Sequence, residues 1–266
     1  MTIFQSVVLG LVQGITEFLP ISSTAHLRLV PELLGWPDSG AAFTAVLQLG
    51  TLAAVIGFFL RDLVRMIAAA ARPETRKTLD ARMLLYIVAG TVPVGVVGLL
   101  ARHAIEGPLR SITVIATSLI VVGLLMAIVE KTARHERTID AFTLRDALIV
   151  GMAQALAVIP GTSRSGITLV AAMILGFRRD AAARFSFLLS IPAVAAAGVF
   201  ELPKLMRDHE VGTTALVVGL ATAAVSGYLS VAWLLRFLRT RTTYGFVVYR
   251  IALGVGLIAA VLAGKL

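Results

Sequence analysis

The chain of 266 residues is 58% hydrophobic and only 15% charged, with a mean hydropathy of +0.91, which excludes an ordinary soluble globular protein. Its net charge of +9 would suit nucleic acid, but Lys and Arg are scattered through short loops between apolar runs, so no nucleic-acid partner is expected. There is no cysteine, which rules out disulfides and thiolate metal sites.

The first apolar segment, 3–18, lacks the basic start and cleavage site of a signal peptide and is expected to be retained. It is shorter than the about 20 residues that a spanning helix needs. A polar turn, Pro20-Ile-Ser-Ser-Thr24, separates it from a second short arm, 25–34. The pair 3–34 is expected to be a re-entrant hairpin, tolerated at depth only where protein or water surrounds the break. Charge-free runs at 42–60, 83–101 and 111–129 then predict three full spans. A second hairpin is expected over 144–177, whose arms flank Pro160-Gly-Thr-Ser-Arg164. The runs 185–200, 211–235 and 242–264, the last interrupted by Arg250, predict three more spans. No ten-residue alternation suggests a β-barrel. The expected fold is an all-α integral membrane protein, a single membrane domain over 1–266 with six full transmembrane helices and two re-entrant hairpins.

The halves echo each other. Gly10-Leu-Val-Gln13 and Gly151-Met-Ala-Gln154 each precede a proline and a hydroxyl cluster, and Gly90 with Gly98 echoes Gly219 with Gly227. A first repeat over 1–130 and a second over 144–266 would each hold one hairpin and three spans. Three is odd, so the repeats are expected to be inverted. Sixteen Lys and Arg fall in the loops after 60, 130, 176 and 235; the opposite side has only Arg102, Arg110, Lys204, Arg207 and Lys265. That makes the first side cytoplasmic, with both termini external. Glycines 90, 95, 98, 219 and 227 are expected to permit close helix packing, and the Gly-rich spans would also permit a homodimer.

The two breaks carry the chemistry. Gln13 and Glu17 share a helix face, and an amide oxygen beside a carboxylate suits a hard cation, Mg²⁺ or Ca²⁺. Ser22, Ser23 and Thr24 include a natural helix cap, but three hydroxyls followed by His26 also offer a nucleophile and a base. His26 is placed to exchange a proton with Ser23 or with water. Arg164, among Thr162, Ser163, Ser165 and Thr168 at a helix start, is suited to hold a phosphate. It could instead simply pair with Glu17, or do each in turn. Anion cradle, carboxylate and nucleophile at membrane depth read as phosphoryl transfer on a lipid.

Gln13-x-x-x-Glu17, the following Pro-x-Ser-Ser-Thr-x-His, and Pro160-Gly-x-Ser-Arg-Ser-x-x-Thr168 together resemble the signature of the bacterial undecaprenyl-diphosphate phosphatases, also called bacitracin-resistance proteins. The resemblance covers essentially the whole chain. It implies hydrolysis of undecaprenyl diphosphate to undecaprenyl phosphate and phosphate in the bacterial cytoplasmic (inner) membrane. Lipid-carrier recycling for peptidoglycan, bacitracin resistance and dependence on a divalent cation would follow. The family pattern allows Glu or Gln at the first position, and Gln13 leaves Glu17 as the sole acidic ligand nearby. By position, Ser23, His26 and Glu17 would be catalytic; Arg164, Ser163, Thr168, Ser22 and Ser165 would hold the diphosphate; Glu17 and Gln13 would hold the metal. The site is expected to face the outer side. Either Ser23 or His26 could be the nucleophile, and a transporter or flippase of lipid-linked phosphate is the rival reading.

Overall fold

A computed structural model describes residues 1–38, 40–101, 108–207 and 211–264. Its regular structure is helical: α1 (Ile3–Phe18), α2 (Ser23–Leu33), α3 (Gly40–Phe58), α4 (Leu60–Ala71), α5 (Leu79–Leu100), α6 (Ile112–Thr132), α7 (Leu144–Ala155), α8 (Arg164–Ile174), α9 (Arg179–Arg207), α10 (Thr213–Phe237) and α11 (Tyr244–Leu262). Six of these, α3, α5, α6, α9, α10 and α11, are long and apolar enough to cross a membrane. The chain is a multi-pass membrane protein.

Local chemistry sets the breaks. Thr2 caps α1 through a reciprocal pair with Gln5. Pro20 stops α1, because the residue before a proline is pushed out of the helical region, and Leu19 is extended. Ser22 then takes φ 75°, and its hydroxyl accepts the Ala25 N–H to open α2. The second break repeats this pattern. Ile159 is extended ahead of Pro160, Ser163 takes φ 68°, and its hydroxyl accepts the Gly166 N–H to open α8. Positive φ is uncommon for a residue bearing a Cβ. Ser22 and Ser163 lie 141 positions apart, as do Gln13 and Gln154.

The first arm of each break lies against the other half of the chain: α1 packs along α10 and α7 along α5, while α6 pairs with α11 and α3 with α9. Apolar surface is no driving force between helices surrounded by lipid, so close backbone approach carries the packing. A Cβ on Gly10 would sit 2.6 Å from the Gly219 carbonyl oxygen, and one on Gly151 would sit 2.1 Å from that of Gly90. Gly90 and Gly219 pack closely as expected, each against a glycine that the expectation did not name, Gly151 and Gly10. Gly95 and Gly98 do not, because nothing lies within 4 Å of the Cβ either would carry.

Two elements depart from expectation. The loop after residue 60 contains α4, whose single buried side chain is Met66 and whose polar face carries Asp62 and Arg65. Its apolar and charged residues alternate around the helix, so no long apolar run marks it. The span expected at 185–200 extends to Arg179–Arg207. Arg184 is accommodated because it pairs with Asp62 and lies over the Phe59 ring. Arg102 and Lys265, counted among the external basic residues, lie outside the described residues.

Candidate active site

The two breaks meet. Glu17, at the end of α1 and 7% exposed, is the centre of the meeting. Its Oε2 accepts the Gln13 amide N–H at 2.8 Å and the Ser23 hydroxyl at 2.5 Å. Its Oε1 accepts an N–H of Arg164, an ion pair joining residues 147 positions apart. Helix geometry explains part of this: Gln13 and Glu17 are one turn apart on the buried face of α1. The break then reverses the chain and brings Ser23, first residue of α2, back onto the same carboxylate. Arg164 is the first residue of α8, equivalent to Ser23 under the offset of 141. One turn thus presents a hydroxyl and the other a guanidinium to a single carboxylate.

A buried ion pair costs several kcal/mol of desolvation per ion unless hydrogen bonds complete it. Here Gln13, Ser23 and Arg164 supply the carboxylate with three donors. A second guanidinium N–H of Arg164 lies 3.5 Å from the Ser190 carbonyl. The Ser165 hydroxyl donates to the Leu19 carbonyl at 3.1 Å, a further link between the breaks.

His26 does not contact Ser23. Its Nδ1 lies 2.7 Å from the Ser22 carbonyl, which can only accept, so Nδ1 carries the proton. Nε2 is left as an acceptor and lies 2.6 Å from the Tyr249 hydroxyl, with the two rings stacked at 5.7 Å. Of the two partners expected for His26, Ser23 or water, the first is corrected: the acceptor at Ser23 is Glu17. The i,i+3 spacing put the pair on neighbouring positions, but the ring turns back to the Ser22 carbonyl, which also accepts the His26 backbone N–H at 3.3 Å.

The hydroxyls divide between tasks. Ser22 and Ser163 cap α2 and α8, and each also touches a neighbour two residues on, Thr24 or Ser165, at 3.1 Å. Thr168, fully buried, donates to the Arg164 carbonyl and meets Ser186 of α9 at 2.6 Å, so it supports α8 from the far side.

The sequence reading missed Arg250 and Tyr249. Arg250 is fully buried on α11, and its guanidinium donates to five backbone carbonyls: Pro20 at 2.9 Å, Gly161 at 2.9 Å, Thr162 at 3.1 Å, Leu119 at 3.3 Å and Ser118 at 3.4 Å. Three of those carbonyls belong to the broken stretches, where no helical N–H reaches them. One cation satisfies both breaks at once and ties them to α6. The signal was visible, since a lone arginine in an apolar run is expected to have a function.

Among the described residues no group of three or more His, Cys, Asp or Glu could hold a metal. The donor set that exists is Glu17 with the Gln13 carbonyl oxygen, which is buried and has no hydrogen-bond partner. An orphaned oxygen beside a carboxylate fits a hard cation whose remaining ligands come from a phosphate.

The family model for bacitracin resistance protein BacA matches residues 6–256. An undecaprenyl-diphosphatase of Myxococcus xanthus is 54% identical over all of this chain and 91% of its own length. Proteins of the same name from Nocardioides sp. and Synechococcus elongatus are each 48% identical, covering 98% and 99% of this chain and 97% and 95% of their own. With its six apolar helices, two serine-capped breaks and a shared Glu17, the chain belongs to the bacitracin resistance protein BacA family.

Proposed function

We propose that the protein is an undecaprenyl-diphosphatase that releases inorganic phosphate from the lipid diphosphate and regenerates undecaprenyl phosphate for peptidoglycan synthesis. The observation that carries this reading is the hydrogen bond from the Ser23 hydroxyl to Glu17, beside Arg164. Substrate diphosphate takes the Arg164 guanidinium from Glu17, bidentately on its terminal oxygens, with Ser163, Ser165 and the free N–H groups at the start of α8 around it. Freed of its cation, Glu17 accepts the Ser23 proton. The Ser23 oxygen attacks the terminal phosphorus, and the bond from that phosphorus to the bridging oxygen breaks. Undecaprenyl phosphate departs with the bridging oxygen, to which Glu17 passes the proton taken from Ser23, so the carboxylate is ionised again. Water, deprotonated by Glu17, then opens the phosphoserine and restores the hydroxyl. Arg164 stabilises the charge that develops on the equatorial oxygens. His26, held by Ser22 and Tyr249, serves as the second proton-transfer group toward the bridging oxygen and water.

A divalent cation, Mg²⁺ or Ca²⁺, would be held by Glu17 and the Gln13 carbonyl oxygen together with substrate oxygens. When bound it supplies charge neutralisation of the diphosphate. The fold around this site reads as an inverted repeat of two re-entrant hairpins. Support comes from the paired positive-φ serines and the matched glycine crossings of Gly10 on Gly219 and Gly151 on Gly90. The family points to the bacterial inner membrane, and the loop charges, which put both termini outside, favour a site open to the outer side. A transporter of lipid-linked phosphate would need no hydroxyl poised on a carboxylate.

Phosphate release from undecaprenyl diphosphate by purified protein in detergent tests the reading. Turnover is expected in the wild type, with a loss of roughly 10²–10³-fold in Arg164→Ala. Wild-type protein that releases no phosphate would overturn it.

A further inference from the structure

The two halves depart from their shared pattern at one place. Gly227 on α10 is packed, since an added Cβ would meet Ala54, Phe18 and Thr51 at 3.2–3.3 Å. Gly50 of α3 likewise lies against the Leu220 carbonyl of α10. Gly98 on α5 stands to Gly227 as Gly90 stands to Gly219, 129 positions apart in both pairs. Yet Gly98 and Gly95 face open space. The helix face that is closed between α10 and α3 is parted between α5 and α9.

The parting is a cavity of about 400 Å³ whose lining is mainly apolar, with Thr91 and Glu201 as its polar members. Glycine and alanine form much of its wall: Ala45 from α3, Gly95 and Gly98 from α5, Ala193 and Ala197 from α9. Its lining includes Val158, in the turn that leads to Arg164. Ala193, also in the lining, lies one helical turn beyond Ser190, whose carbonyl faces Arg164. Val158 occupies the position that Glu17 holds in the first half, 141 residues earlier. Where one hairpin offers a carboxylate to the phosphate pocket, the other offers an apolar side chain to the groove beside it. The cavity and the polar site share α9, which gives Ala193 to one and the Ser190 carbonyl to the other, and the volume lies within the roughly 300–1,000 Å³ of ligand sites generally.

We propose that this groove holds the head-proximal isoprene units of the polyprenyl diphosphate while the diphosphate lies at Arg164. Side chains as small as these leave room for the methyl branches of a prenyl chain. The groove is too short for the whole undecaprenyl chain, so the remainder stays in the bilayer. Binding energy collected there positions the terminal phosphorus against Ser23. The inference rests on the phosphatase reading but is separable from it.

Gly95→Leu and Gly98→Leu fill the groove with residues that favour a helix, so folding is retained. Each is compared with wild type on undecaprenyl diphosphate and on dimethylallyl diphosphate, which carries one prenyl unit. The kcat/KM for the long substrate is expected to fall tenfold or more through KM, with the short substrate changed less than twofold. An unchanged long-chain kcat/KM, or an equal loss on both substrates, overturns the groove. Absence of wild-type release from both substrates overturns the phosphatase reading instead. A prenyl diphosphate with a photoreactive diazirine on an early isoprene unit gives a readout independent of turnover. Labelling is expected within 94–99 or 193–201; labelling confined to α6 or α11 means that the groove holds ordinary bilayer lipid and ends the proposal.

Discussion

The hydroxyl of Tyr249 lies 2.6 Å from Nε2 of His26, joining residues 223 positions apart. Because the Ser22 carbonyl fixes the proton on Nδ1, Tyr249 must be the donor in this contact. Tyr249→Phe keeps the ring stack and removes the hydroxyl. Such a bond contributes about 0.5–1.5 kcal/mol net, so kcat/KM should fall roughly two- to tenfold with little change in melting temperature. The shape of the pH–rate profile should change as well, since His26 loses the group that occupies its free nitrogen. An unaltered profile would remove Tyr249 from any part in catalysis.

Adjacent serines should behave differently. Ser23→Ala deletes the hydroxyl that Glu17 accepts and is expected to abolish phosphate release. Ser22→Ala removes a cap, costing about 1 kcal/mol of stability, and should leave most turnover in place. Ser22→Gly should be milder still, because glycine adopts φ 75° without strain. Phosphate assays paired with thermal unfolding in detergent separate the two roles. Comparable activity loss in Ser22→Ala and Ser23→Ala would count against Ser23 as nucleophile.

Arg250 has no substitute. Lysine has three donors where arginine has five, so Arg250→Lys must leave carbonyls of the two breaks unpaired. Each buried unsatisfied group costs about 1–3 kcal/mol. A lower melting temperature and at least tenfold lower turnover are expected, with Arg250→Leu failing to fold. The unfolding midpoint in detergent is the check, and a Lys variant as stable as wild type would show that the breaks do not depend on this cation.

The glycine crossing of α7 on α5 is equally testable. Gly151→Ala would drive a Cβ to 2.1 Å from the Gly90 carbonyl oxygen, a backbone atom that cannot rotate away. It should destabilise the protein by about 1–3 kcal/mol or more, the usual cost of overpacking. Gly57→Ala, which meets nothing within 4 Å, is the matched control and should be neutral or slightly stabilising. Equal melting temperatures for the two variants would contradict the crossing.

Much of this molecule was legible before any coordinates. Composition set the membrane class, and run lengths gave the six long helices to within a few residues at most ends. Pro20 and Pro160 with their hydroxyl clusters marked both breaks, and Glu17 with Arg164 followed from the cost of charge at depth. α4 escaped because an amphipathic surface helix leaves no apolar run, and the contact of Thr168 with Ser186 could not be foreseen without α9 beside it.

The sequence by itself determined what is local: which stretches are apolar enough to sit in lipid, where proline and serine break a helix, and which ionisable residues lie there. Those properties depend on neighbours in the chain, so they can be read from it. Only the tertiary structure decided that Ser23 gives its hydrogen bond to Glu17, that His26 turns to Tyr249, and that Arg250 satisfies both breaks. These choices join residues up to about 230 positions apart, and they are made by which free donor comes within reach of which unsatisfied oxygen once the helices have packed.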